Sequence, residues 1–257
     1  MTSALALLTH ALRMLVADIG STIRVILPAL ICVMGAALAA VVLAGDTLAL
    51  IQAAPDDMPV PDGGQVLIVM LCGLIGLAGY VLLAILWHRH VLLNGPDRDA
   101  GLRPDASLFW GYVWRTIVLG FAQFLIAIPI VIAVGVLGAV SGGSMAGLVL
   151  LGLVAGIVFL WVALRLSLVL PAAALGHTMR LRESWEATAP AAQALWGLAV
   201  LLALVNGVLT LLSGALLAEA ASARLILDSA LYIIEGLVFI SVLTTLYGHL
   251  VQGRTLG

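Results

Sequence analysis

The chain has 257 residues, 63% hydrophobic and only 9% charged, with a formal net charge of −2 and a mean hydropathy of +1.23, whereas a soluble domain is about 25% charged. This is a membrane-protein composition, and it excludes nucleic-acid binding, which needs a dense basic footprint. All eleven basic residues are arginine, and the lack of lysine excludes a P-loop and any lysine-based Schiff-base or general-base mechanism.

The gaps between charges place the elements, because roughly 20 apolar residues cross about 30 Å of hydrocarbon. Residues 1–20, MTSALALLTHALRMLVADIG, carry Thr2, Thr9, His10 and Arg13 near one helical face with leucines on the rest, which predicts a helix lying in the membrane interface. The stretch lacks a basic n-region, so no cleaved signal peptide is expected. A first span is predicted at about 23–45. Residues 46–62 follow, with Asp46, Asp56, Asp57, Asp62 and three prolines but no basic residue, and are expected to be irregular and solvated. A second span is predicted at 64–88. The uncharged run 116–164 holds 49 residues, too many for one helix, and the turn signal SGGS at 141–144 divides it into spans at 112–138 and 145–168. A fifth span is predicted at 191–218 and a sixth at 226–249, interrupted only by Glu235. Cys32 and Cys72 fall inside spans and read as small hydrophobes.

The expected fold is therefore a single all-α polytopic membrane domain with six transmembrane helices. Six spans put both termini on one side, where ten of the eleven arginines also fall, against Arg224 alone on the other. Basic residues near helix ends are retained in the cytoplasm, so both termini are expected there.

Between spans four and five lies LRLSLVLPAAALGHTMRLRESWEAT, residues 164–188. Arg165 sits roughly 28 Å along the fourth span, where an arginine can snorkel to phosphates. Pro171 is expected to kink the apolar continuation, Gly176 to end it, and Thr178 to cap a second interfacial helix over 178–189. In that helix Leu181 and Trp185 share one face, and Arg182 and Glu186 face water four residues apart. Two readings stand: a structural elbow, or a lipid-headgroup or partner site contacted by Arg165, Arg180, Arg182 and Trp185.

Arg165, Leu170, Pro171, Leu175 and the run Leu181-Arg182-Glu183-Ser184-Trp185-Glu186-Ala187-Thr188 resemble the signature of the glycerophosphoryl diester phosphodiesterase membrane-domain superfamily. LWHRHVLLNG at 86–95 and LTTLYGHLVQGR at 243–254 are similar to stretches in its stand-alone proteobacterial members. The resemblance spans the whole chain and departs at Gly176-His177, where an acidic residue is expected. It implies a six-helix bacterial inner-membrane protein. The activity in the family's name belongs to a separate soluble domain, and no stretch between the predicted helices is long enough to hold one.

His88 and His90, two apart on a helix, point in different directions, and no cysteine or carboxylate cluster accompanies them, so no metal is expected. Ser167, Ser184, His177 and His249 offer nucleophile and base, yet no GxSxG-type elbow surrounds either serine; no catalytic residue and no cofactor are expected. Glu235 lies roughly 9 Å inside the outer edge of the sixth span, and an intramembrane carboxylate is by default a functional-site hypothesis. It reads either as a structural carboxylate near the outer interface or as an ion or substrate contact, lining a polar cavity with Asn206, Gln123 and Tyr232. Gly152 and Gly156 form a GxxxG, and Gly73, Gly76 and Gly79 recur every three residues; both sets are expected to pack helices within the chain, with dimerisation as the alternative. The expected function is that of a non-enzymatic integral membrane protein whose partners are membrane lipids or a membrane protein complex. The alternative is a small transporter or lipid-handling protein with a polar site near Glu235.

Overall fold

The computed structural model describes residues 3–52, 62–93, 104–216 and 221–256, and among them every regular element is helical. In chain order these are α1 (Ala4–Val16), α2 (Ile19–Gln52), α3 (Gly63–Leu92), α4 (Ala106–Val140), α5 (Met145–Leu166), α6 (Val169–Ala174), α7 (Leu181–Ala187), α8 (Ala192–Leu216) and α9 (Ala221–Leu250), with a 3-10 turn at Ala189–Ala191. Six helical stretches, α2, α3, α4, α5 with α6, α8 and α9, are long and apolar enough to cross a membrane. The chain is an all-α polytopic membrane protein.

Helices begin where the sequence offers a short oxygen-bearing side chain. Ser3 accepts from Ala6 N–H at 3.1 Å, Asp62 from Gly64 at 3.0 Å, Asp105 from Leu108 at 2.8 Å and Ser144 from Gly147 at 3.2 Å, each satisfying an N–H the helix cannot pair itself. The SGGS turn separates α4 from α5, with Gly142 and Gly143 at φ +75° and +67°, a region glycine enters without a Cβ clash.

The first span is longer than its charges suggest. Asp46 does not end it: α2 runs on to Gln52 through one non-helical residue, Ala44. Thr47 Oγ1 donates to Gln65 Oε1 at 2.6 Å and ties this extension to the start of α3. The expected irregular loop thus starts later; its residues 53–61 lie outside the described residues, as do Arg98, Arg103 and the side chain of Arg224.

The glycine stripes divide in role. A Cβ on Gly79 would come within 3.0 Å of Val33 and 3.2 Å of Cys32, so α2 and α3 cross closely there, as small residues allow. Gly73, Gly152 and Gly156 correct the expectation: nothing lies within 4 Å of a Cβ on any of them, so the GxxxG of α5 does not seat a neighbouring helix in close contact.

The core gathers at the end of the bundle that carries the termini. Leu7 and Ala11 of α1 are fully buried among Leu195 and Leu198 of α8 and Leu243 and Leu246 of α9. The would-be Cβ of Gly197 lies 3.0 Å from Ala4, so α1 settles against α8 at that point. A second cluster holds Ile85, Trp87, Tyr112 and Ala174. At the same end Arg254 donates to the carbonyls of Val91 at 2.9 Å and Leu92 at 2.6 Å, closing the C-terminus of α3, whose last carbonyls have no helical partner. Toward the other end Val42, Leu71, Val136 and Leu211 turn outward, as lipid-facing surface does.

Candidate functional site: a groove between α5, α8 and α9

The elbow was one of two candidate regions, and its geometry is that of a joint. The chain breaks at Ser167 and Leu168, between α5 and α6, with Pro171 in the first turn of α6. In an unbroken helix Pro171 would owe a hydrogen bond to the Ser167 carbonyl, and its ring would crowd that carbonyl; the break falls one turn ahead of the proline, where a kink at Pro171 was expected. Ser184, fully buried on α7, repairs it by donating to the Arg165 carbonyl at 2.7 Å and accepting from the Leu168 N–H at 3.2 Å. Gly176, at φ +78°, ends α6, and His177 N–H bonds back to the Ala172 carbonyl at 2.9 Å. Arg89 from α3 caps the Ala174 carbonyl at 2.7 Å.

Arg165 does not reach for headgroups. It is 7% exposed, its guanidinium lies 3.6 Å over the Trp185 ring, and it donates to the Trp185 carbonyl at 2.6 Å and to Thr188 Oγ1 at 3.2 Å. Trp161 flanks it at 5.2 Å and stacks on Trp196 with ring centroids 4.8 Å apart. The reason for the correction is that α7 folds back over the end of α5, so depth along the span says nothing about what covers it. Trp185, half-buried, likewise packs on this cluster through Arg165 and Trp161. Arg182 is 87% exposed and pairs with Glu186 at 2.8 Å, as its spacing predicts. The helix starts at Leu181 and not at Thr178, with Glu183 accepting from the Arg180 N–H at 2.8 Å. Ser167 and Ser184 both donate to backbone carbonyls, and His177 and His88 face Tyr247 and Thr244 hydroxyls.

The second candidate, around Glu235, is a cavity. α5, α8 and α9, with Tyr80 of α3, enclose a groove of about 610 Å³. Gly152, Leu153 and Gly156 form one wall, Leu202 and Asn206 a second, and Glu235 with Phe239 a third. Its floor is open because Gly152, Gly156 and Gly207 have nothing within 4 Å of a would-be Cβ. Tyr80 enters because Gly236 has no Cβ: its hydroxyl occupies that position, and its ring carbons lie 3.2–3.3 Å from it. Tyr232, 73% exposed, stands at the outward rim.

Asn206 Nδ2 donates to Glu235 Oε2 at 2.8 Å. Seven residues farther along α8, Ser213 hydrogen-bonds Asp228, seven residues before Glu235 on the antiparallel α9. Two polar rungs therefore join these helices about 10 Å apart along their axes. Asn206, Tyr232 and Glu235 come together as the sequence suggests. Gln123 does not: α4 packs on α3, α5 and α6, and Gln123 takes no part in the lining. Sequence reasoning missed Tyr80 and Asp228; the signal for Asp228 was its two-turn spacing from Glu235. Among the described residues the lining has one acidic and no basic side chain. No protein-family model, no curated protein and no solved structure matches the chain.

Proposed function

We propose that this chain is a non-enzymatic, lipid-handling membrane protein whose groove holds an amphiphile, with its apolar tail along α5 and its polar end at Glu235. The observation that carries this reading is an apolar recess of about 610 Å³, within the size of small-molecule sites, with its polarity concentrated at the Asn206–Glu235 pair. A carboxylate at membrane depth is costly, and one neutral partner at 2.8 Å leaves Oε1 for a ligand donor. The ligand's polar end is therefore a hydrogen-bond donor, to match a carboxyl oxygen that accepts.

The setting proposed is a bacterial inner membrane with both termini cytoplasmic, supported by the ten-to-one arginine bias. Membership of the glycerophosphoryl diester phosphodiesterase membrane-domain superfamily is proposed on the elbow signature, whose Arg165, Ser184, Trp185 and Thr188 meet in one joint.

Photo-crosslinking with a lipid carrying an acyl-chain diazirine tests the reading. Labelling is expected to concentrate on α5 around Gly152–Gly156 and on α8 around Leu202–Gly207. Labelling spread evenly over the outward faces of α2 and α4 would mean ordinary lipid contact and would defeat it.

A further inference from the structure

A second recess, of about 390 Å³, lies at the other end of the membrane-spanning region, where the third and fourth turns of α4 meet the elbow. Trp114, Arg115 and Val118 of α4, Val169 of α6, and Met179 and Arg180 before α7 line it. Arg115 gives one N–H to the Gly111 carbonyl of its own helix at 3.1 Å, which leaves most of its fork. Arg180 is exposed, and its guanidinium makes no hydrogen bond or ion pair with any described residue. Glu183, the nearest carboxylate in sequence, is directed to the Arg180 backbone N–H. Arg115 and Arg180 thus line one recess, and among the described residues its lining has no carboxylate, so their positive charge is left for an anion to neutralise.

The rest of the lining says which anion. Val118, Val169 and Met179 supply an apolar wall, and Trp114 is 64% exposed, the placing of a tryptophan ring at a membrane–water interface. A free phosphate would make no use of these side chains. We propose that this recess binds the phosphodiester headgroup of an anionic membrane lipid. Arg115 and Arg180 donate to the phosphate oxygens, a geometry that guanidinium forks match, and the first methylenes run along Val118 and Met179. The site is independent of the groove at Glu235, whose lining carries no cation among the described residues. Of the four elbow residues expected to contact headgroups, Arg180 alone belongs here; Arg165 and Trp185 pack on each other, and Arg182 is paired with Glu186.

The test is native mass spectrometry of the full chain released from nanodiscs holding equal phosphatidylglycerol and phosphatidylcholine with matched acyl chains. The wild type is expected to retain phosphatidylglycerol preferentially. The variant Arg115→Gln/Arg180→Gln is expected to lower that preference about tenfold or more, since each arginine near a membrane surface contributes to anionic-lipid attraction. Arg180→Gln alone, at an exposed side chain that the fold does not use, is expected to lower it in part, and Arg182→Gln to leave it unchanged. The proposal is overturned by a wild type that retains both lipids equally, by Arg182→Gln acting as strongly as Arg180→Gln, or by inorganic phosphate displacing the lipid, which would mark a site for a soluble anion.

Discussion

The hydroxyl of Ser184 stands 2.7 Å from the carbonyl of Arg165, nineteen residues earlier in the chain, and takes the place of the helical hydrogen bond that the break after α5 removes. The same oxygen accepts from Leu168 N–H, so one side chain satisfies a donor and an acceptor in a buried site. Ser184→Ala leaves the Leu168 N–H unpaired, at about 1–3 kcal/mol, and leaves the Arg165 carbonyl only the longer hydrogen bond from the Thr188 hydroxyl at 3.5 Å. Thermal unfolding in detergent is expected to show a clear fall in Tm; an unchanged Tm would mean the joint does not depend on this hydroxyl.

Arg165 supports the same joint through its stacking on Trp185. Lysine keeps the charge but loses both the planar face and the fork. Arg165→Lys is expected to cost about 2 kcal/mol, the scale of a desolvated cation–π contact. Retention of anionic lipid by the folded fraction should not change, because the side chain is internal. A variant as stable as the parent, or one that stays folded and sheds anionic lipid, would contradict the geometry.

Two glycines give opposite expectations. A Cβ at Gly236 meets the Tyr80 hydroxyl and ring, whereas one at Gly156 meets nothing within 4 Å. Gly236→Ala is expected to push α3 from α9 and destabilise by about 1–3 kcal/mol, as overpacking does. Gly156→Ala is expected to be neutral or slightly stabilising, since alanine favours the helix by roughly 1 kcal/mol over glycine. Equal Tm changes for the two variants would mean the groove is closed in the membrane.

Glu235→Gln keeps an oxygen that can accept from Asn206 and removes the carboxylate's desolvation cost. Stability is expected to hold or rise while retention of a long-chain amine falls, read by native mass spectrometry with dodecylamine as probe. Undiminished amine binding would remove Glu235 from the polar end of the site.

The spans were legible because charge is so sparse that its gaps measure the membrane. Their ends were less so: Asp46 reads as the start of a loop, yet the helix carries it because Thr47 finds Gln65 on the neighbouring helix. The pairing of Asn206 with Glu235 could be anticipated because two polar side chains in an apolar stretch need each other. Arg165 was misplaced because spacing along one helix gives depth and not cover, and its cover comes from Trp185 on a segment that folds back. Arg115 drew no notice, since nothing in its neighbours along α4 signals that Arg180 arrives beside the same recess. The GxxxG of Gly152 and Gly156 has a packing signature, but a motif on one helix does not say whether another helix, or a ligand, occupies the space it leaves.

The most direct test of an amphiphile in the groove is to fill it. Gly156→Leu places a side chain in the open space that Gly156 leaves, where nothing lies within 4 Å of a Cβ. The quantity to measure is the amphiphile retained per chain after delipidation, by native mass spectrometry, beside the Tm of the same sample. The account predicts a large loss of retained ligand at unchanged or higher Tm. Retention equal to that of the parent, at equal Tm, would show that the groove is not where the ligand sits.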